Sequence, residues 1–299
     1  MSHENSARDL ERDRTQRLRK YFDEVAWSPL ESGRWTDTEL EVSATRVNDY
    51  YTLREHTRNR MAMSRGGVYF LDAGCGARPY RMYAAGYRHH VCLDFSLSGL
   101  RGARKCLDGR GFFVLGDLRH IPFKSGAFDG FCSAYAVHHI PGAAGQQEAL
   151  KELYRILKPG CSGAVIYDNP DHFAKKVKRL IRRAPRLRSF LLTFRQRRPA
   201  AHGGEQESHI GEALAERGTL LHYEPLPAHT ILQSLTDENA IRVKTHSILT
   251  EQFKRDWFKD TLLWNSVARV CLLFESLTGG FLCPYAAVWN IFIAKKSAP

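Results

Sequence analysis

The sequence predicts an α/β fold, a mostly parallel sheet with helices on both faces. Three observations predict it. Between residues 66 and 170, short apolar runs alternate with stretches of helical periodicity, the pattern of parallel strands joined by helical crossovers. The first run ends in a glycine-bearing turn, Gly74-Cys75-Gly76, the place where such a sheet hands a strand over to a helix. A chain of 299 residues that is 43% hydrophobic and 25% charged has the composition of a globular protein able to bury a sizeable core.

Residues 9–26 and 39–63 read as polar helices joined by a Trp/Pro/Gly stretch from Trp27 to Trp35. The character changes at Arg65-Gly66-Gly67. Residues 68–74 (VYFLDAG), 90–94 (HVCLD), 111–117 (GFFVLGD), 128–136 (FDGFCSAYA) and 163–169 (GAVIYDN) then read as strands. Before the fifth, Ala149, Leu150, Leu153, Ile156 and Leu157 form a helical stripe that Pro159-Gly160 stops. A further helix is predicted within 225–240. Residues 241–249 alternate like a strand, and 286–296 form a β-rich strand followed by basic residues. Between these two, 253–281 is apolar and aromatic, and no internal repeat is present.

Several classes are excluded. No run of about eighteen apolar residues is free of charge, so a spanning helix is not expected. The first twenty residues are polar, which predicts no secretory leader. Seven scattered cysteines contain no CxxC pair, which reads as free thiols in a reducing cytosol.

The formal net charge is +12, and one segment supplies nearly all of it. From His172 to Gly204 there are eleven Lys and Arg and no acid, which leaves +1 for the rest of the chain. Within it Phe173, Val177, Leu180, Ala184, Leu187, Leu191 and Phe194 recur at alternating steps of four and three, one face of a helix, with Pro185 set to kink or split it. A basic amphipathic helix over 172–198 suits an anionic membrane surface. The plainer reading packs its apolar face on the domain and leaves its charges solvated.

The chemistry centres on Asp72-Ala73-Gly74-Cys75-Gly76-Ala77. Glycine lets a backbone approach a ligand closely and tolerates positive φ, and the N-terminus of a following helix offers free N–H groups. A dinucleotide fingerprint needs a third glycine, and Pro79 stands there instead. Asp94 ends the second strand, where a carboxylate can accept from both ribose hydroxyls. Asp117 ends the third, where one can accept from an adenine amine. The turn has no lysine placed for a phosphate. A ligand with adenine and ribose but no phosphate fits, and S-adenosylmethionine is the common one.

Over LDAGCGARPY, CLDFS, GDLRHIPFKSGAFDGF, AYAVHHI and ELYRILKPGCSGAVIY, residues 66–170 resemble the core of class I S-adenosylmethionine-dependent methyltransferases, in the branch that includes ubiquinone/menaquinone-type enzymes. The stretch Tyr21–Ala26 resembles that family's N-terminal lid helix. Cys161-Ser162 and Arg78-Pro79 depart from its pattern. The resemblance implies a Rossmann-like seven-stranded sheet, mostly parallel with an antiparallel last strand, and the strands at 241–249 and 286–296 suit the terminal hairpin. It divides the chain into a helical lid (1–65), a cofactor-binding core (66–170), a basic helical insert (171–234) and the rest of the core (235–299). It also implies roles. Asp72, Ala73, Gly74 and Gly76 would line the methionine and ribose part. Asp94 and Phe95 would hold ribose and flank adenine, and Asp117 and the Leu118 backbone would read adenine. Ala134 and Tyr135 would lie near the sulfonium.

Methyl transfer needs a general base only where the acceptor holds a proton. His138 and His139, just past the fourth strand, are the candidates, against the alternative that they pack or satisfy hydrogen bonds. His89-His90 reads as structural. Neither histidine pair has acidic or cysteine partners at ligand spacing, so no metal site is expected. Trp257, Phe258, Trp264 and Phe274 favour a small, lipophilic or lipid-linked acceptor, or else form ordinary core. The expected protein is cytoplasmic, with membrane contact through 172–198. Two other readings stay open. One is an RNA methyltransferase, because FDGFCSAYAVHHI also resembles tRNA wobble-uridine methyltransferases and the basic insert could track phosphates. The other is a non-catalytic subunit that binds the cofactor.

Overall fold

The structure is a computed structural model. It describes residues 12–29, 35–36, 45–173, 223–233, 235, 240–250, 253–254, 258–278 and 283–297. The predicted basic helix over 172–198 therefore lies outside the described residues apart from its first two positions, as does Trp257.

Helix α1 (12–20) runs without a break into a wider π-helical turn, Tyr21–Ala26, which buries Tyr21, Val25 and Ala26. Helix α2 (Arg46–Met61) starts where Thr45 accepts the Asn48 N–H, a side-chain N-cap. Then come β1 (Gly67–Ala73), the short α3 (Arg81–Ala84), β2 (Tyr87–Asp94), α4 (Leu97–Cys106), β3 (Phe112–Leu115), β4 (Gly130–Ala134), α5 (Ala143–Ile156), β5 (Ser162–Asp168), α6 (Ala228–Leu232), β6 (Ile241–Ser247), α7 (Leu262–Thr278) and β7 (Val288–Ala294).

The seven strands form one sheet in the order β3-β2-β1-β4-β5-β7-β6. The first five are parallel to their neighbours, and β7 is antiparallel to both β5 and β6. This is the predicted mostly parallel sheet with its terminal hairpin. The strand order reverses between β1 and β4, and ligands of open α/β sheets bind outside the strand ends at such a switch.

Alternation along each buried strand divides the core into two faces. Leu71, Leu93, Phe131, Val165 and Ile291 pack under Ala149, Leu150, Leu153 and Ile156, the predicted stripe of α5. Phe70, Cys132, Ala134, Ile166 and Val288 face the other way, towards Met63 and Tyr83. Helix α2 buries polar groups: Asn48, Glu55, His56 and Asn59 are all buried. Glu55 pairs with Lys254 at 3.0 Å, and both side chains are fully buried. Tyr51 donates to Glu275 of α7 at 2.6 Å. Phe258 and Trp264 join Val47, Tyr51, Ala268 and Leu272 in a separate core cluster, the ordinary-core alternative for those aromatics, while Phe274 is exposed.

Candidate functional site

The switch point holds the predicted glycine turn. Gly74 N–H donates to the Leu93 carbonyl at 2.7 Å, which ties the turn to the end of β2. Gly74 and Gly76 have φ of +74° and +52°, a region that favours glycine. A Cβ on Gly74 would sit 2.4 Å from the Ala136 Cβ, and one on Gly76 would sit 2.3 Å from Cζ2 of Trp27. Both glycines are therefore required by conformation and by space.

The turn leads into a helix, as the sequence had suggested, but only a short one. The Tyr80 N–H turns back to Asp72 Oδ2 at 2.6 Å before the four-residue α3. His90 Nε2 lies 3.3 Å from the same oxygen. Burial lowers the His90 pKa, but hydrogen bonds to Asp72 and Cys92 outweigh it and raise the ring to about 9. His90 is thus an imidazolium beside a buried carboxylate rather than only a strand residue. Asp72 Oδ1 is buried with no hydrogen-bond partner. Such an oxygen costs about 1–3 kcal/mol until a donor meets it, so it suits an incoming cation such as an ammonium.

Asp94 ends β2 one strand over. Its Oδ2 accepts the Gly76 N–H at 2.7 Å and its Oδ1 the Ser96 N–H at 2.8 Å. Burial raises its pKa to about 6 against the pull of those two donors, with Asp23 and Asp72 adding to the rise. Each carboxylate oxygen keeps a second lone pair, enough for two vicinal hydroxyls. Asp117 is turned onto Arg119, which reaches both of its oxygens at 2.7–3.1 Å. Burial raises its pKa, but the Arg119 contacts outweigh that and hold it below the ordinary carboxylate range. Leu118 is buried, with its Cδ1 over Gly74.

The N-terminal segment roofs this crevice. Asp23 Oδ1 accepts from Ser96 Oγ at 2.8 Å and from the Ser98 N–H at 3.2 Å, and Ser96 is itself the N-cap of α4. Phe22 meets Phe95 edge-on at 5.7 Å, His139 at 5.6 Å and Trp27 in a stack at 6.1 Å. Trp27 lies against Gly76 and Gly99 with its indole N–H buried and unpaired. The sequence singled out the Tyr21–Ala26 stretch but not Trp27, because nothing local links an indole to glycines 49 and 72 positions downstream.

Beyond the crevice, Ala134 closes β4, and Tyr135 follows at φ +57°, a strained value for a bulky residue. His138 is buried; desolvation lowers its pKa to about 3, and its Nδ1 has no partner. Its ring lies 4.5 Å from that of the half-buried His139 and 5.1 Å from that of Tyr223. Level with Ala134 across the sheet are Ile166 and Asn290. Asn290 is fully buried, with neither side-chain polar atom hydrogen-bonded. His246 lies 6.5 Å from Tyr135 and 5.2 Å from His56, ring to ring, with its Nε2 buried and without a hydrogen bond. Desolvation, followed by His56, Lys254 and Arg58, holds His246 well below the ordinary histidine range, so it is neutral. The sequence offered no signal for His56, His246 or Asn290, which only the fold brings to the end of β4.

These carboxylates and glycines stand in the stretch that comparison with known proteins picks out. Residues 71–165 match the family described as a methyltransferase domain. The matched domain covers about a third of the chain. The chain is 34% identical over 108 residues to a ubiquinone/menaquinone biosynthesis C-methyltransferase of Ruegeria sp. (strain TM1040), an alignment covering 32% of this chain and 40% of that protein. It is 30% identical over 119 residues to 24-methylenesterol C-methyltransferase 2 of Arabidopsis thaliana, covering 38% of this chain and 32% of that one. The chain thus spans less than half the length of these curated relatives. Among solved structures, phosphoethanolamine N-methyltransferase 2 of Haemonchus contortus in complex with S-adenosyl-L-methionine overlaps 81% of this chain and 53% of that chain, at 17% identity and a TM-score of 0.44.

Proposed function

We propose that this chain transfers a methyl group from S-adenosylmethionine to a small, lipophilic or lipid-linked acceptor. One observation carries the reading. Asp72 and Asp94 end adjacent strands on either side of the Gly74–Gly76 turn, one with an unpaired buried oxygen and one with spare lone pairs. Asp72 Oδ1 would meet the methionine ammonium and Asp94 the ribose hydroxyls. Phe95 and the Leu118 backbone would flank adenine, with Asp117 towards its amine. When bound, the cofactor supplies a methyl group on a positively charged sulfur.

The chain's own residues then align the acceptor and exclude water. Ala134 and Tyr135 border the transfer position. The unpaired side chain of Asn290 would hold the acceptor's polar atom, and Phe22, Trp27 and Tyr223 give the apolar surroundings. Where the acceptor bears a hydroxyl, His138 or His139 would take its proton. The relatives named for quinone and sterol methylation support a lipophilic acceptor. Membrane contact through 172–198 is part of the same proposal.

The test incubates the protein with methyl-labelled S-adenosylmethionine and whole-cell lysate, then separates organic, RNA and aqueous fractions. Label in the organic fraction is expected. Label in RNA would overturn the acceptor and turn the basic stretch into a phosphate-binding arm. Cofactor binding by calorimetry without any labelled product would favour the non-catalytic subunit.

A further inference from the structure

Helix α7 is inverted. Its one acid, Glu275, is buried, accepting from Tyr51, Arg58 and the Ile248 N–H. Its outer side is mostly apolar, with Ser266 the one polar residue within the stripe: Leu262 is 85% exposed, Leu277 76%, Leu263 69%, Val270 66%, Leu273 60% and Phe274 49%. At 3.6 residues per turn these six fall within an arc of about 120°. Single exposed apolar residues need no explanation, whereas a contiguous apolar stripe marks an interaction surface.

The helix is about 26 Å long, and no helix among the described residues is long and apolar enough to cross a membrane. A face of this kind lies on a bilayer rather than through it. Charge decides the partner. No acid is exposed on the helix, and Arg269 stands at the edge of the apolar arc. Asp260, just ahead of the helix, accepts the Val47 N–H. The chain returning from α7 enters β7 at Val288, opposite Asp168, the end of β5. Asn169 ties the two by donating to the carbonyls of Pro284 and Ala286. Three residues after Asn169 begins the stretch with eleven Lys and Arg and no acid. The chain thus leaves β5 towards its most basic stretch of sequence beside the point where the chain from α7 enters β7.

We propose that the outer face of α7 docks this protein on an anionic lipid bilayer, inserting Leu262, Leu263, Val270, Leu273, Phe274 and Leu277 among the headgroups and upper acyl chains. The assignment does not depend on the identity of the methyl acceptor. The full chain is floated with phosphatidylcholine vesicles with and without phosphatidylglycerol, beside the variant Leu263→Glu/Leu273→Glu/Leu277→Glu. The expected result is flotation of the wild type with phosphatidylglycerol vesicles, and a loss of about tenfold or more in the variant. A Leu277→Cys protein in which Cys106, Cys161, Cys271 and Cys283 are replaced by serine, carrying an environment-sensitive dye, should shift its emission to the blue on the same vesicles. That readout does not depend on the triple variant folding as the wild type does. Wild type that stays in solution, equal flotation of wild type and a triple variant with an unchanged circular-dichroism melt, or an unshifted dye would overturn the proposal. So would sedimentation showing a lipid-free wild-type dimer that the triple variant converts to monomer, because the face would then bind a second copy.

Discussion

Asp94 gives the sharpest test of the cofactor crevice, because its protonation is coupled to folding. Burial raises its pKa from 3.8 to about 6. The folded protein therefore binds that proton more tightly than the unfolded chain. Stability changes with pH in proportion to protons bound by the unfolded state minus those bound by the native state. For Asp94 that difference is negative between pH 3.8 and about 6, so its contribution to stability falls as pH rises through this window. A shift of about 2 units corresponds to about 3 kcal/mol. Asp94→Asn removes the titration. Its amide keeps one acceptor and turns an N–H towards either the Gly76 or the Ser96 N–H, which costs about 1–3 kcal/mol. Near pH 7 the two effects roughly cancel, and below pH 4 only the cost remains. Urea unfolding of both proteins from pH 4 to 7.5 measures the difference in stability, in which titrating groups that do not interact with Asp94 subtract out. The wild type should lose about 2.5 kcal/mol relative to Asp94→Asn across the range. A flat difference, or a wild type that gains relative to the variant as pH rises, would refute the assignment of a buried, ionised Asp94.

The other expectations concern neighbouring groups. Gly76→Ala puts a Cβ 2.3 Å from the Trp27 ring at φ +52°, so it should lose about 1–2 kcal/mol to backbone strain and more to the displaced indole. Combining it with Trp27→Ala should remove only the second part, as read by thermal melts. His90, raised to about 9, stabilises the fold fully below its unfolded value near 6.5, and that contribution is lost as pH climbs through 9. His90→Gln should abolish this alkaline loss, while a His90 resonance titrating near 6.5 by NMR would remove the ion pair with Asp72. His138→Phe should melt within a few degrees of wild type, because the ring is already neutral and its Nδ1 makes no hydrogen bond. If the acceptor is a hydroxyl, replacing whichever of His138 and His139 takes the proton should slow methyl transfer by about 10²–10⁴-fold, and unchanged rates in both phenylalanine variants would exclude both. Lys254→Met removes the cation 3.0 Å from the fully buried Glu55 carboxylate and should cost about 3–5 kcal/mol in denaturant unfolding. Restoration by Glu55→Met in the same chain would locate that cost in the broken ion pair.

Which of these groups the sequence disclosed depends on how far along the chain its partners lie. Asp72, Gly74, Gly76, Asp94 and Asp117 sit at strand ends, and a strand end is local information: an apolar run stops, a glycine or carboxylate follows, and parallel pairing brings those ends to one edge of the sheet. The α5 stripe and the terminal hairpin were legible for the same reason, since periodicities of 3.6 and 2 are written within single elements. Helix α2 defeats this logic. Its buried face carries Asn48, Glu55, His56 and Asn59, so an apolar-stripe criterion reports a polar helix and says nothing about its inner side. The charges there are met by Lys254 and Glu275, roughly two hundred residues away, and no spacing rule spans that distance. Helix α7 is the mirror case, an apolar sequence whose exposed side is its greasy one. Trp27 shows the consequence for the site. An indole in a Trp/Pro/Gly linker reads as a loop residue, yet Gly76 must be glycine partly because that indole occupies the space a Cβ would take. The glycine motif is thus fixed from two sides, by the backbone conformation that the sequence reveals and by a roof that only the folded chain supplies. A substitution in the roof should therefore loosen the requirement for Gly76 without relieving its positive φ.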